Sequence, residues 1–150
     1  MKQSILTSFI ISICILLLPG CSDTRIPPSQ LPEDITSFVK EHFPQEAITY
    51  AVKERKIYGT KYIIELVNGA KIEFDTDNVW DKIDCQNVPV PSTIVPMAIT
   101  AYTQKNYPSI AIIKIKKKDH GYEVELIDET NLKFNEHGAI INLDNHNRIE

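Results

Sequence analysis

Cysteine is scarce in this chain of 150 residues, and its few positions limit what it can do. Two of the three cysteines, Cys14 and Cys21, lie in or directly after an apolar N-terminal stretch. Only Cys85 remains in the rest of the chain, so no disulfide can form within that part. Because no histidine lies near it in sequence, we interpret Cys85 as a small buried apolar residue rather than a reactive thiol.

Glycine and histidine are also too sparse for the usual catalytic motifs. The five glycines form no Gly-rich phosphate loop and no Gly-x-Ser-x-Gly, and the four histidines stand singly, without metal-ligand spacing. Residues 75–78 begin like a calcium loop, but Trp80 occupies the position where such a loop needs glycine. We therefore predict no catalytic residues, no cofactor and no metal site, and a protein that is not an enzyme.

Positive charge is not in excess, since the formal net charge is −4. Nucleic-acid binding needs a basic surface, so we predict no nucleic-acid partner. The one dense basic run is Lys114 with Lys116, Lys117 and Lys118. It fits either contact with anionic lipid or an acidic partner, or a solvated hairpin end whose lysines discourage edge pairing, which we favour.

Long apolar runs are missing except at the start, where residues 5–18 carry no charge. This run is short for a membrane span and follows Lys2, which is typical of a secretory signal over residues 1–20. Leu18-Pro19-Gly20-Cys21 resembles the lipobox of bacterial lipoproteins, which implies lipidation at Cys21 and a membrane anchor there. We expect an exported protein on the periplasmic side or cell surface, with the outer membrane favoured; an ordinary cleaved signal is the alternative.

What the chain does contain is an internal repeat. Residues 31–44 match residues 95–108, each a helix pattern between prolines, and residues 61–75 match residues 121–135. Each copy then continues with short alternating segments typical of strands. We predict an α+β fold, a tandem repeat of one helix plus a four-stranded antiparallel meander, with both helices on one face of a continuous eight-stranded sheet.

Composition sets the expected boundaries of the parts. After the signal we predict a tether at 21–30, repeat unit one at 31–84, a linker at 85–94, repeat unit two at 95–143 in the same domain, and a tail at 144–150. Asn68-Gly69 predicts a hairpin with a two-residue loop. Ile112, Ile113 and Ile115 cannot all face inward without a bulge.

These features together resemble the PepSY-like lipoproteins, also described as beta-lactamase-inhibitor-like (DUF2874-type). The motifs that carry the resemblance are Phe43-Pro44 and Tyr107-Pro108, Gly121-Tyr122-Glu123-Val124, Ile72-Glu73-Phe74-Asp75 and Asp77-Asn78-Val79-Trp80. The second copy has Ile140 in place of the tryptophan and Asn135 in place of the aspartate. The resemblance implies the tandem fold, no enzyme activity and no set of functional residues to carry over.

Alternation fixes which strand residues face away from the helices. The candidate binding residues on this open face are Ile63, Glu65, Val67, Glu73, Glu123, Glu125 and Ile127, with Trp80 added as an aromatic that can instead close the core. We expect a monomer that binds an envelope protein or peptide through this face. The alternatives are a structural or accessory lipoprotein whose contacts lie at edges and loops, and a peptidase or beta-lactamase inhibitor.

Overall fold

The computed structural model describes residues 23–143, which form two helices and one antiparallel sheet of nine strands. The strands lie in chain order across the sheet, each beside the next. Their bounds are β1 Asp23–Arg25, β2 Ile48–Lys56, β3 Gly59–Leu66, β4 Lys71–Phe74, β5 Trp80–Asp84, β6 Ile112–Lys118, β7 Gly121–Leu126, β8 Asn131–Asn135 and β9 Ile140–Leu143. The fold is therefore α+β. The predicted signal, the lipidation site Cys21 and the predicted tail lie outside the described residues.

Both helices begin after a proline, whose fixed φ suits the first turn of a helix. Helix α1 is Glu33–His42 and helix α2 is Met97–Asn106, after Pro32 and Pro96 respectively. Phe38 of α1 meets Phe74 edge-on at 5.6 Å, and Tyr102 of α2 meets Phe134 in the same way at 5.4 Å, both measured between ring centroids. Each helix thus packs on an aromatic residue of the sheet.

One row of directly paired side chains forms the centre of the core. Residues that face each other across a ladder point to the same side of a sheet. The row crosses seven strands, and every member is at most 1% exposed: Ala51, Ile64, Ile72, Ile83, Ile115, Val124 and Leu132. Burying each of the larger ones contributes about 1.5–3 kcal/mol. Because the row runs unbroken through both halves, the halves share one core.

The two halves use the same turns at corresponding places. Asp75 Oδ1 accepts hydrogen bonds from the backbone N–H groups two and four residues later, at 2.9 and 3.0 Å. Asn135 Oδ1 does the same at 3.0 and 2.9 Å. Bulges also occur in β2–β3 at Ile48/Tyr50 and in β6–β7 at Ile112/Lys114. The second of these lets both Ile112 and Ile115 of β6 pack in the core, with Ile113 at the bulge.

Two expectations need correction. The sheet has nine strands rather than eight, because part of the predicted tether 21–30 pairs with β2 as β1, and Ile26 is buried behind it. The loop at Asn68-Gly69 has three residues rather than two. Gly69 N–H bonds to Leu66 O, Leu66 N–H bonds to Ala70 O, and Gly69 takes the left-handed conformation at φ 85°.

Candidate functional site on the open sheet face

The sheet has a second face, opposite the one that both helices cover. Its side chains follow from the register, because they alternate with the core row. One row on this face is Val52, Ile63, Glu73, Lys82, Lys116, Glu123 and Lys133, and the parallel row is Tyr50, Glu65, Lys71, Asp84, Lys114, Glu125 and Asn131. We call this surface the open face.

Seven of the eight predicted binding residues belong to the open face. Five of them are half-buried among their strand neighbours: Ile63, Glu65, Glu73, Glu123 and Glu125. The other two, Val67 and Ile127, directly follow β3 and β7 and are 65% and 47% exposed. These seven residues therefore lie on one surface, with the exposed aliphatic ones at corresponding hairpins of the two halves.

Trp80 does not belong to the open face, and the structure favours the alternative in which it closes the core. It pairs with Phe74 across a bulge and packs against the core on the helix side. The Lys117 ammonium lies 4.1 Å from the Trp80 ring centroid, which is within cation–π range. Burial lowers the pKa of Lys117, while the nearby carboxylates of Asp75 and Asp81 act in the opposite direction. Trp80 and Lys117 therefore close one end of the core.

Most charges on the open face are paired across strands. The ion pairs join Glu73 to Lys82 at 3.0 Å, Glu123 to Lys118 at 2.9 Å and Glu65 to Lys71 at 3.9 Å. Partly exposed pairs of this kind contribute about 0–1 kcal/mol each, because water screens them. A charged group of a binding partner could therefore replace one member of such an ion pair at a low cost in free energy.

Lys114 is the best-connected charge on the face. Its ammonium lies 2.6 Å from the carboxylate of Glu125 on β7 and 3.2 Å from that of Asp84 on β5. The hydrogen bond to Glu125 is the main cause of the raised pKa of Lys114, with further contributions from Asp84, while burial acts against it. The Asp84–Lys114–Glu125 triad joins the last strand of the first half to the second half.

Lys116 is the functional candidate that the sequence prediction missed. It lies between Lys82 and Glu123 in its row, and both of these neighbours are engaged by other partners. Within residues 23–143, Lys116 itself has no ion-pair partner. It lines an open hollow of about 600 Å³, whose other charged residues are Lys61, Asp81, Lys117, Lys118, Asp119, Glu123 and Lys133. The signal in the sequence was the basic run at 114–118, in which alternation separates Lys114, Lys116 and Lys118 from Lys117.

The other reactive groups of the described chain are a buried thiol and a carboxylate held in a turn. Cys85 is 1% exposed, and burial, followed by the charge of Asp84, raises its thiol pKa to about 11. A thiol with so high a pKa is protonated at neutral pH and unreactive. Within the described part of the chain, no three histidine, cysteine or acidic side chains come together as a metal site. The Asp75 carboxylate is engaged by backbone N–H groups of its own turn. Among the same residues, no helix is long and apolar enough to cross a membrane.

The family model "Putative beta-lactamase-inhibitor-like, PepSY-like" matches residues 19–66 and 60–142, which is most of the chain. The chain belongs to the PepSY-like family. Among curated proteins, none matches it.

Three solved structures share this fold. A protein of Bacteroides thetaiotaomicron, described as "a putative calcium-regulated periplasmic protein", is 35% identical, with a TM-score of 0.77, over 82% of this chain and 97% of its own. A Bacteroides vulgatus periplasmic protein of unknown function is 30% identical, with a TM-score of 0.77, over 82% and 99%. A second Bacteroides vulgatus periplasmic protein, from the DUF2874 family, is 35% identical, with a TM-score of 0.76, over 82% and 97%. These descriptions support an exported protein.

Proposed function

We propose that this PepSY-like chain is a non-catalytic, lipid-anchored protein of the bacterial cell envelope that binds an acidic protein or peptide segment on its open sheet face. The observation that carries the proposal is the lysine-lined hollow around Lys116. Its lysine side chains come from three strands, because the fold adds Lys61 of β3 and Lys133 of β8 to the basic run of β6. A partner carboxylate placed there would gain a charge-assisted hydrogen bond from Lys116 without breaking an existing pair.

The surroundings of the hollow favour an extended or flat partner. Both helices pack on the opposite face, which leaves the open face free of them. The exposed apolar side chains Val67 and Ile127 stand at the other end of the same face and would add apolar contact area. The weak ion pairs between the hollow and these two apolar residues can be replaced by ion pairs with charged groups of the partner.

We infer the lipid anchor from Cys21 and its lipobox-like context. Mass spectrometry of the protein isolated from cells tests this, because acylation adds the mass of the lipid to a chain that begins at Cys21. The Cys21→Ala variant should then leave the membrane fraction. Recovery of an unacylated chain cleaved elsewhere would contradict the anchor and leave the ordinary secretory signal.

We also infer that the halves are copies of one helix-plus-four-strand unit. The matched hydrogen bonds at Asp75 and Asn135 support this, as do the corresponding bulges in β2–β3 and β6–β7. Duplication makes the two halves of the open face alike, and the lysines of the hollow are a difference between them.

Envelope crosslinking with charge-reversed variants tests the binding proposal. Lys116→Glu with Lys133→Glu reverses the hollow, and the matched control, Lys40→Glu with Lys105→Glu, makes the same charge change on exposed positions of the two helices. A partner that the wild type and the control capture, and that the hollow variant loses while remaining folded, supports the proposal. Equal capture by all three moves the contact away from the hollow.

A second candidate function is supported by a specific observation. The open face is dominated by paired charges rather than by a continuous apolar patch, which favours an accessory lipoprotein whose contacts lie at edges and loops. The most exposed large apolar residues, Ile57 and Met97, also lie away from that face, in a loop and at the start of a helix. Retention of the partner by the hollow variant would favour this alternative.

A further inference from the structure

The tip of the β2–β3 hairpin exposes two large apolar side chains side by side. Ile57 is 99% exposed and Tyr58 is 76% exposed, although most apolar residues of the described chain are at least partly buried. Arg55, Lys56 and Lys61 flank them, and no acidic residue occurs between positions 55 and 61. We call residues 55–61 the basic tip. An apolar and aromatic end with a basic flank is the pattern of a membrane-surface contact.

The chain enters the sheet at the same end as the basic tip. Strand β1 runs antiparallel to β2, and Asp23 lies opposite Glu54. From Glu54, the three residues to Ile57 cover about 10 Å along the hairpin. The two residues from Cys21 to Asp23 span at most about 7 Å. An anchor at Cys21 therefore brings a membrane surface to the end of the sheet that carries the tip.

We propose that the basic tip docks on the anionic surface of the membrane leaflet that holds the lipid at Cys21. This inference rests on the lipid anchor of the proposed function. Ile57 would enter the boundary between headgroups and acyl chains, and Tyr58 would lie at headgroup level, where tyrosine is enriched. Arg55 and Lys61 would face anionic headgroups, which attract basic segments near the surface.

The tip stays exposed although the neighbouring turn reaches its base. Beyond the last β3–β4 pair, Tyr62 with Phe74, Thr76 of the β4–β5 turn lies close to Gly59, while Ile57 and Tyr58 remain 99% and 76% exposed. Two acidic groups, Asp75 and Asp77, lie in the neighbouring β4–β5 turn, while Glu54 is paired with Lys56 at 2.9 Å. Docking through the tip holds the strands pointing away from the membrane. The open face then stands beside the membrane rather than against it, accessible to an envelope partner.

A single-tryptophan experiment tests the docking. Trp80 is the only tryptophan, so the Trp80→Phe background allows one reporter, either Tyr58→Trp at the tip or Val67→Trp at the opposite end of the sheet. The chain from Cys21 onward is coupled through Cys21 to a maleimide lipid, which supplies the anchor whether or not cells acylate this residue. Cys85 is buried and does not couple.

The vesicles are phosphatidylcholine with phosphatidylglycerol, with and without brominated acyl chains. We expect the emission of the Tyr58→Trp reporter to shift to shorter wavelength and to be quenched by bromine, while that of the Val67→Trp reporter stays as in water. Adding Arg55→Glu and Lys61→Glu, or omitting phosphatidylglycerol, should reduce the quenching. An unquenched tip reporter, or equal quenching of both reporters, would overturn the proposal. Because the maleimide lipid supplies the anchor in this experiment, such a result would count against docking and would leave acylation of Cys21 in cells a separate question.

Discussion

The glycine that opens β7 gives the sharpest test of the packing described above. Gly121 has φ 149°, and a Cβ built on it would lie 1.9 Å from the backbone oxygen of Phe134. Real Cβ atoms keep at least 3.0 Å, so β8 would have to move by about 1.1 Å. Overpacking of this kind costs about 1–3 kcal/mol, and a side chain in a backbone region reserved for glycine costs about the same again. We expect Gly121→Ala to lower the free energy of unfolding by about 4 kcal/mol.

Gly59 is the matched control, because it has nearly the same φ, 147°. A Cβ there would meet only the side chain of Thr76, whose Cγ2 lies 2.7 Å away and can rotate, and whose Cβ lies 2.9 Å away and would have to move by about 0.1 Å. Gly59→Ala therefore bears the backbone cost with a much smaller collision, and we expect a loss of about 2 kcal/mol. Urea unfolding followed by circular dichroism measures both variants. Equal losses in the two, or a loss below about 1 kcal/mol for Gly121→Ala, would refute the claimed backbone contact.

Three further predictions concern a turn, the triad and the buried thiol. Glu129 takes the left-handed conformation, φ 68°, at the turn position that Gly69 occupies in the first half. Glu129→Gly should therefore raise the free energy of unfolding by about 1 kcal/mol, and Gly69→Ala should lower it by a similar amount. Urea unfolding measures both. Lys114→Met leaves two facing carboxylates without their shared lysine and should lower the free energy of unfolding by about 1–2 kcal/mol. Lys116→Met removes no ion pair within residues 23–143 and should lower it by less than about 0.5 kcal/mol. Equal losses would contradict the triad. The Cys85 thiol should resist iodoacetamide until the protein unfolds. Because its folded-state pKa of about 11 exceeds the ordinary 9.0, the native state holds the proton more tightly, so stability should fall as pH rises from 9 toward 11, with a shallower slope in Cys85→Ala.

Much of the fold was readable because it follows from alternation and repetition. The apolar positions of β3, β4, β7 and β8 fix one face by their period of two, and the prolines set the helix starts. Strand β1 could not be read this way. Asp23-Thr24-Arg25 is polar and exposed, and it is a strand only because the edge of β2 offers it hydrogen-bonding partners. Such pairing is set by tertiary contact and leaves no periodic pattern.

The sequence predicted which surface carries the candidate site, but it did not predict the role of Lys116 within it. Alternation placed Glu65 and Glu125 on the open face, but it gave no account of which charges are paired. Lys116 stands out only once Lys82 and Glu123 are seen to bond elsewhere, which depends on the register of β5 with β6. Alternation could not decide which face Trp80 takes, because a bulge between β4 and β5 shifts the pattern at that point.

The binding role of the open face is tested most directly by site-resolved photo-crosslinking in the native cell envelope. A photoreactive amino acid is placed singly at Lys116 and Glu73 on the open face, at Lys40 and Lys105 on the helices, and at Tyr58 on the basic tip. We predict one protein adduct of constant mass from the two open-face positions and none from the helix positions. Protein adducts only from Lys40, Lys105 or Tyr58, with neither open-face position reacting, would contradict binding through the sheet.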